Sequence, residues 1–157
     1  MLFRSQIANG MNKLGWKVPM IASWTASMSN FIDAAAANGN GVQMPQTFIQ
    51  EGASRPQATA FIEAYRKKYS ADRIPSAVAA AQGYDSMHLL ANAIAQAGST
   101  DGPKVKAALE NLTAPYEGAI ATFNKPYSAT DHEAIHTEQV VMGVVQGGKV
   151  TPPTAKP

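Results

Sequence analysis

The chain has 157 residues, 45% of them apolar and 15% charged, with a net charge of +2. That length suits one ordinary domain or pieces of two small ones, and the apolar share excludes a disordered chain. The small net charge and scattered lysines and arginines exclude nucleic acid as the partner, and the absence of cysteine excludes disulfide and thiol chemistry.

The opening segment, MLFRSQIANGMNK, carries a charge inside its apolar start and does not look like a secretory signal. Phe3, Ile7, Met11 and Leu14 instead predict an amphipathic helix from Leu2 to Lys13, ended by Gly15. The chain reads as though it begins in the middle of something. No apolar run approaches the roughly eighteen residues of a membrane-spanning helix.

A short strand is expected over Lys17 to Ala22, irregular or at an edge because of Pro19. After a turn at Ser23, Trp24 and Thr25, residues Ala26 to Asn38 read as a helix ended by Gly39, and Gly41 to Phe48 as a strand. Such α-β-α-β alternation is the pattern of a parallel sheet flanked by helices. A polar break, Ile49 to Pro56, leads into a helix reaching about Tyr69, with Phe61, Ile62 and Tyr65 on one face. Arg66, Lys67 and Lys68 close that helix, where the dipole favours cations.

The next helix, Pro75 to Gly98, is the longest element expected. Ser76 stands at an N-cap position before the alanine run, and Gly98 at the stop. Tyr84, Met87, Ala91, Ile94 and Ala97 form one apolar face by their spacing. Gly83 interrupts it at a cost of about 1 kcal/mol against alanine, which suggests that a ligand or a packed neighbour approaches the backbone there. A short helix (Asp101 to Leu112), a strand (Gly118 to Phe123), a polar loop (Asn124 to Asp131) and a strand (Glu138 to Val145) follow. Gly147-Gly148 predicts a hairpin turn into a strand at Val150, and Thr151 to Pro157, with three prolines, a frayed tail.

Two features bear on catalysis. His132-Glu133-Ala134-Ile135-His136 matches H-E-x-x-H, which on a helix sets two zinc ligands on one face with a glutamate base between them. Here a turn-rich loop precedes it and a β-branched run follows, and Gln139 and Met142 stand where the extended motif needs glycine and histidine. The stretch reads as a solvated loop entering a strand, with no metal site. His88 lies four residues after Tyr84 and three after Asp85, but Ser23, Ser27, Ser29 and Ser86 all lack the glycine-flanked frame of a nucleophile elbow. His88 reads as a helix-surface or core-edge residue. The glycines at 39–41 and 147–148 are turns without the lysine and serine of a phosphate loop. No catalytic residue and no cofactor is assigned.

The ordered segments LGWKVPMIASW, GVQMPQTF, FIEAYRKKYSADRIPSAVAAAQGYDSMHLLANAIAQAG, APYEGAIATFNKPYSATDH and VVMGVVQGGKV resemble the C-terminal part of type I periplasmic substrate-binding proteins, the branched-chain amino-acid-binding family of ABC importers. The resemblance runs from about Leu2 to Val150. It implies an α/β fold carrying parts of two three-layer (αβα) lobes. Residues 1–50 would be the late part of the second lobe, 51–134 the late part of the first, 135–150 strands returning to the second, and 151–157 a disordered tail. The signal peptide, most of the first lobe and the early second lobe would lie upstream of Met1.

The function implied is solute binding without catalysis. A small amino acid or an organic or aromatic acid would be held between the lobes in the periplasm and handed to an ABC permease. Ser23, Trp24 and Thr25 fall at the second-lobe turn that faces the ligand, and Tyr84 at a helix position covering it from the first lobe. The other readings are a hydrophobic plug for Trp24, core packing for Tyr84, and an orienting or capping role for Asp85. Amino-acid-binding relatives place a carboxylate for the ligand's ammonium group where this chain has Trp24, so the resemblance leans towards an aromatic or organic acid, unless Asp33 or Glu51 supplies the charge. The alternative is a structural or interaction module that has lost the cleft and pairs as a homodimer.

Overall fold

A computed structural model of the chain describes residues 2–153. Helix α1 (Leu2–Lys13) ends in a turn whose Gly15 takes φ +65°, a backbone region open to glycine. The chain then runs extended past Met20 to Ala22 beside strand β1 (Gln43–Gln46). There the Gln43 N–H donates to the Met20 carbonyl (2.9 Å) and the Ala22 N–H to the Gln43 carbonyl (2.8 Å), a parallel bridge at Ile21. β1 pairs antiparallel with β4 (Val141–Gln146), in register Gln43 with Val144, and β4 with β5 (Lys149–Thr151). Gly147 and Gly148, at φ +58° and +77°, make the two-residue turn between β4 and β5.

Helix α2 (Ser29–Ala35) covers this sheet. Its Phe31, Ile32 and Ala35 join Ala26, Met44 and Val145 in one buried core. A second group is helical: α3 (Pro56–Tyr69), α4 (Ala77–Ala97) and α5 (Gly102–Glu110), with a small hairpin of β2 (Tyr116–Glu117) and β3 (Thr122–Phe123). Phe48, Phe61, Ile62, Ile74 and Ala81 form one of its cores, and Leu89, Ala93, Val105, Leu112 and Phe123 the other. The two sheets share no strand, and the chain passes between the groups over 47–55 and 124–140. Among the described residues, no helix is long and apolar enough to cross a membrane.

Several elements depart from the sequence expectations. The helix foreseen over 26–38 is split into a 3-10 turn (Trp24–Ser27), α2 and a second 3-10 turn (Ala36–Gly39), because Ala36 leaves helical space at φ 47°, ψ −131°. Lys17 to Ala22 makes a single bridge rather than a strand, since one of its edges has no partner among the described residues. The strand foreseen over Gly118 to Phe123 shrinks to a two-residue arm, and Thr137–Gln139 is a 3-10 turn preceding β4. β5 reaches Thr151, one residue into the expected tail, and residues 154–157 of that tail lie outside the described ones.

Helix α4 buries Val78, Ala81, Asp85, Leu89 and Ala93, not the face with Tyr84, Met87 and Ala91. That face stays open, with Met87 64% exposed. A helix apolar on both sides is one built to be covered on both sides. A β-carbon on Gly83 would meet nothing within 4 Å, so the close approach expected there is absent among the described residues. Ser76 occupies the N-cap position without a capping bond, and its buried Oγ has no partner.

Candidate functional site

The turn Ser23–Thr25 stands at the carboxyl end of the extended segment that runs parallel to β1. Crevices outside the carboxyl ends of parallel strands are where open α/β sheets bind ligands, because helix N-termini and loops converge there. Ser23 Oγ and Thr25 Oγ1 lie 2.8 Å apart in a shared hydrogen bond. The Trp24 carbonyl accepts from Ser27 Oγ (2.7 Å) and from Nε2 of Gln46 (3.3 Å). Gln46 is 2% exposed at the end of β1, so a buried amide fixes the turn against the sheet. The Trp24 side chain remains 41% exposed.

Tyr84 lies seven residues into α4, about 10 Å along its axis from the start. Its ring packs on Phe61 (centroids 5.0 Å apart) and on His88 (4.5 Å). His88 in turn stacks on Tyr116 at 5.5 Å and 15°, and Tyr116 on Phe123 at 6.2 Å. Tyr84 is therefore one member of a ladder of rings, 37% exposed, and the hydrogen bonds and ring contacts around it do not include the Ser23–Thr25 turn. Among the described residues, His88 has no serine partner, and its ring joins this stack.

Asp85, the next residue and turned about 100° round the helix, is 2% exposed. Its Oδ1 accepts from the Ala119 N–H (2.8 Å) and the Tyr116 hydroxyl (3.2 Å), and its Oδ2 from the Ile120 N–H (2.9 Å). Burial, then the adjacent Asp85 charge and hydrogen bond, push the Tyr116 phenol far above its ordinary range. Asp85 thus ties the hairpin loop to α4, a wider role than capping a turn. Its two backbone contacts also explain the short β-arms, because N–H groups given to a carboxylate cannot join a ladder.

The two groups of elements meet in polar contacts beside the Ser23–Thr25 turn. Arg73, in the α3–α4 loop, donates to Asp33 of α2 through Nη1 (2.8 Å to Oδ1) and Nη2 (2.7 Å to Oδ2). The Ser29 N–H, at the start of α2, donates to the Pro75 carbonyl (2.9 Å). The hydrogen bond from Arg73 holds the Asp33 carboxyl below the usual carboxylate range. Glu51 also acts on Arg73 electrostatically. Of the two carboxylates considered as ligand partners, Asp33 is thus held directly by Arg73. Nothing local in the sequence marks Arg73, a lone arginine between two helices.

The H-E-x-x-H stretch is not helical. His132 Nε2 bonds Glu110 Oε1 (3.0 Å), and Glu110 also pairs with Lys106, which together hold its carboxyl low. His136 sits at the N-cap of the 3-10 turn, where its backbone N–H donates to Gln139 Oε1 (2.7 Å). Among the described residues, no group of three or more histidines and carboxylates is placed to hold a metal ion.

Comparison with known proteins gives this arrangement its context. The sequence model of the periplasmic binding protein family matches residues 5–149. The leucine-binding protein LivK from Thermotoga maritima is similar in structure over 96% of this chain and 40% of its own, at 26% identity and a TM-score of 0.78. LivJ from Streptococcus pneumoniae, a branched-chain amino acid transporter substrate-binding protein solved with isoleucine, matches over 93% of this chain and 39% of its own (27% identity, TM-score 0.75). A solute-binding protein of an ABC transporter from R. palustris, solved with benzoate, shares the fold over 95% of this chain and 39% of its own, at 16% identity and a TM-score of 0.73. No curated protein sequence matches. This chain thus spans about 40% of the length of these solved structures. With the family's sequence pattern over most of its length and the fold of these receptors, the chain belongs to the periplasmic binding protein family and carries part of the type I fold.

Proposed function

We propose that the chain is part of the solute-binding component of an ABC importer, holding a small amino acid or an organic or aromatic acid between two lobes in the periplasm without catalysis. Residues 1–50 and 135–150 belong to one lobe in this reading, and 51–134 to the other. The separate cores of the two groups support that division, apart from Phe48, which sits at the crossing and packs in the helical core. Ser23, Trp24 and Thr25 are the ligand contacts from the first of these lobes, and Tyr84 the aromatic wall from α4.

The observation that carries the reading is Trp24, half-open at the carboxyl end of the extended segment, with its backbone fixed by buried Gln46. An indole offers a π-face and one N–H donor but no negative charge. Asp33 is engaged by Arg73, so a ligand ammonium group finds no free carboxylate in α2. The site therefore favours an aromatic or organic acid over a simple α-amino acid, since a desolvated ammonium needs an opposite charge.

Titration of the chain with benzoate, leucine and isoleucine, followed by the indole N–H resonances of Trp16 and Trp24, tests the site. The Trp24 resonance should move saturably with benzoate while that of Trp16 stays in place. A moving Trp16 resonance with a fixed Trp24, or no saturable change with any of the three, refutes the assignment.

A further inference from the structure

The residues joining the two groups of elements differ in kind from those holding each together. Among the described residues, no buried residue belongs both to the core of the β1–β4–β5 sheet and to the cores of the helical group. Across the divide, the contact beside the Ser23–Thr25 turn is polar: the two-pronged Arg73–Asp33 pair and the Ser29 N–H bond to Pro75. The side chains of Arg73 and Asp33 are 46% and 60% exposed.

The loop bearing Arg73 is also tied to the crossing over 47–55 and to α3. The Ile74 N–H donates to Gln50 Oε1 (3.1 Å), Gln50 Nε2 donates to the Asp72 carbonyl (2.9 Å), and Arg66 Nε reaches the same carbonyl (3.4 Å). Asp33 is equally placed, on the helix that directly follows the Ser23–Thr25 turn. The pair holds α2 against the loop that leads into α4.

We propose that the Asp33–Arg73 pair is a latch between the two lobes, holding the α2 side against the α3–α4 loop and setting how far the two lobes stand closed. The proposal rests on the lobe division given above. Its chemistry suits a reversible contact. A guanidinium fork on a carboxylate defines a direction as well as a distance, so it specifies one closed angle. An exposed pair is weak and screened by salt, so it biases the opening without locking it, as a buried apolar seam would.

Because the chain has no cysteine, paired cysteines replacing Ala37 and Lys67 carry spin labels only at those exposed positions, one in each group. Labelled chain diluted with unlabelled chain, without ligand, should give one narrow distance at low salt. Arg73→Gln and Asp33→Asn should each enlarge the longer-distance population by about two- to fivefold, high salt should do the same to the unsubstituted pair, and the exchange Asp33→Arg/Arg73→Asp should restore the narrow distance. Identical distributions at both salt concentrations and in both single variants overturn the latch, as does an exchange that fails to restore. The salt comparison needs no substitution at the pair, so it stands if a variant folds poorly. No ligand enters the measurement, so failure of the ligand reading leaves its result intact, and failure of the latch leaves the titration of Trp24 untouched.

Discussion

A β-carbon built on Gly118 would lie 2.7 Å from Oδ2 of Asp85 and 2.8 Å from its carboxyl carbon. The missing side chain is what lets the hairpin loop settle on the carboxylate and give it the N–H groups of Ala119 and Ile120. Asp85→Ala leaves those donors without their acceptor and should cost about 3 kcal/mol; Gly118→Ala should cost about 2 kcal/mol by overpacking. In the double variant the sum should fall short, because the clash with Asp85 goes with its carboxylate. Urea unfolding midpoints of the four chains check this, and strict additivity contradicts it.

Gly83 is the opposite case. Its β-carbon position is open and its φ is not in the left-handed range. Gly83→Ala should therefore raise the unfolding free energy by up to about 1 kcal/mol through helix propensity alone. A loss of stability in this variant would show that a contact forms at that backbone in solution.

The Asp33 carboxyl titrates below its ordinary range because Arg73 holds the charged form. A carboxylate lowered on folding contributes stability that is complete above its unfolded pKa, about 3.9, and is lost as pH falls through the lower folded value. The Asp33 carboxyl carbon should accordingly titrate at lower pH in the native chain than in Arg73→Gln. Coincident titration curves in the two chains would contradict the pairing in solution.

The segment beyond α1 presents Leu14 (80% exposed), Trp16 (59%) and Ile21 (73%), and among the described residues its extended part pairs on one side only, at the Ile21 bridge to β1. An open apolar edge is a template for another chain. The chain should therefore self-associate at high concentration, and Ile21→Lys should reduce the scattering mass. A compact monomer at high concentration, unchanged by the substitution, would contradict this.

The legible parts of the fold were those with local punctuation. Pro56 and the Arg66-Lys67-Lys68 turn bound α3, and Gly98 at φ +58° ends α4 with its N–H on the Ala95 carbonyl. The buried face of α4 was not legible, because alanines line both sides of that helix and periodicity alone does not choose between Leu89 and Met87. Nor was the Gly118–Phe123 stretch, whose backbone donors go to a carboxylate thirty-four residues earlier. Around the candidate site, the turn near Ser23–Thr25 is legible as a turn, whereas its support by Gln46 and the Arg73–Asp33 pair are long-range contacts that no local pattern encodes.

Calorimetry on a complete receptor containing this chain separates the two ligand classes, with leucine, isoleucine and benzoate titrated into the native protein and into Trp24→Ala. Benzoate should bind more tightly than either amino acid, and should lose about tenfold or more in affinity in Trp24→Ala, a change of about 1.4 kcal/mol. Tight binding of leucine or isoleucine, unchanged when Trp24 is removed, would contradict it.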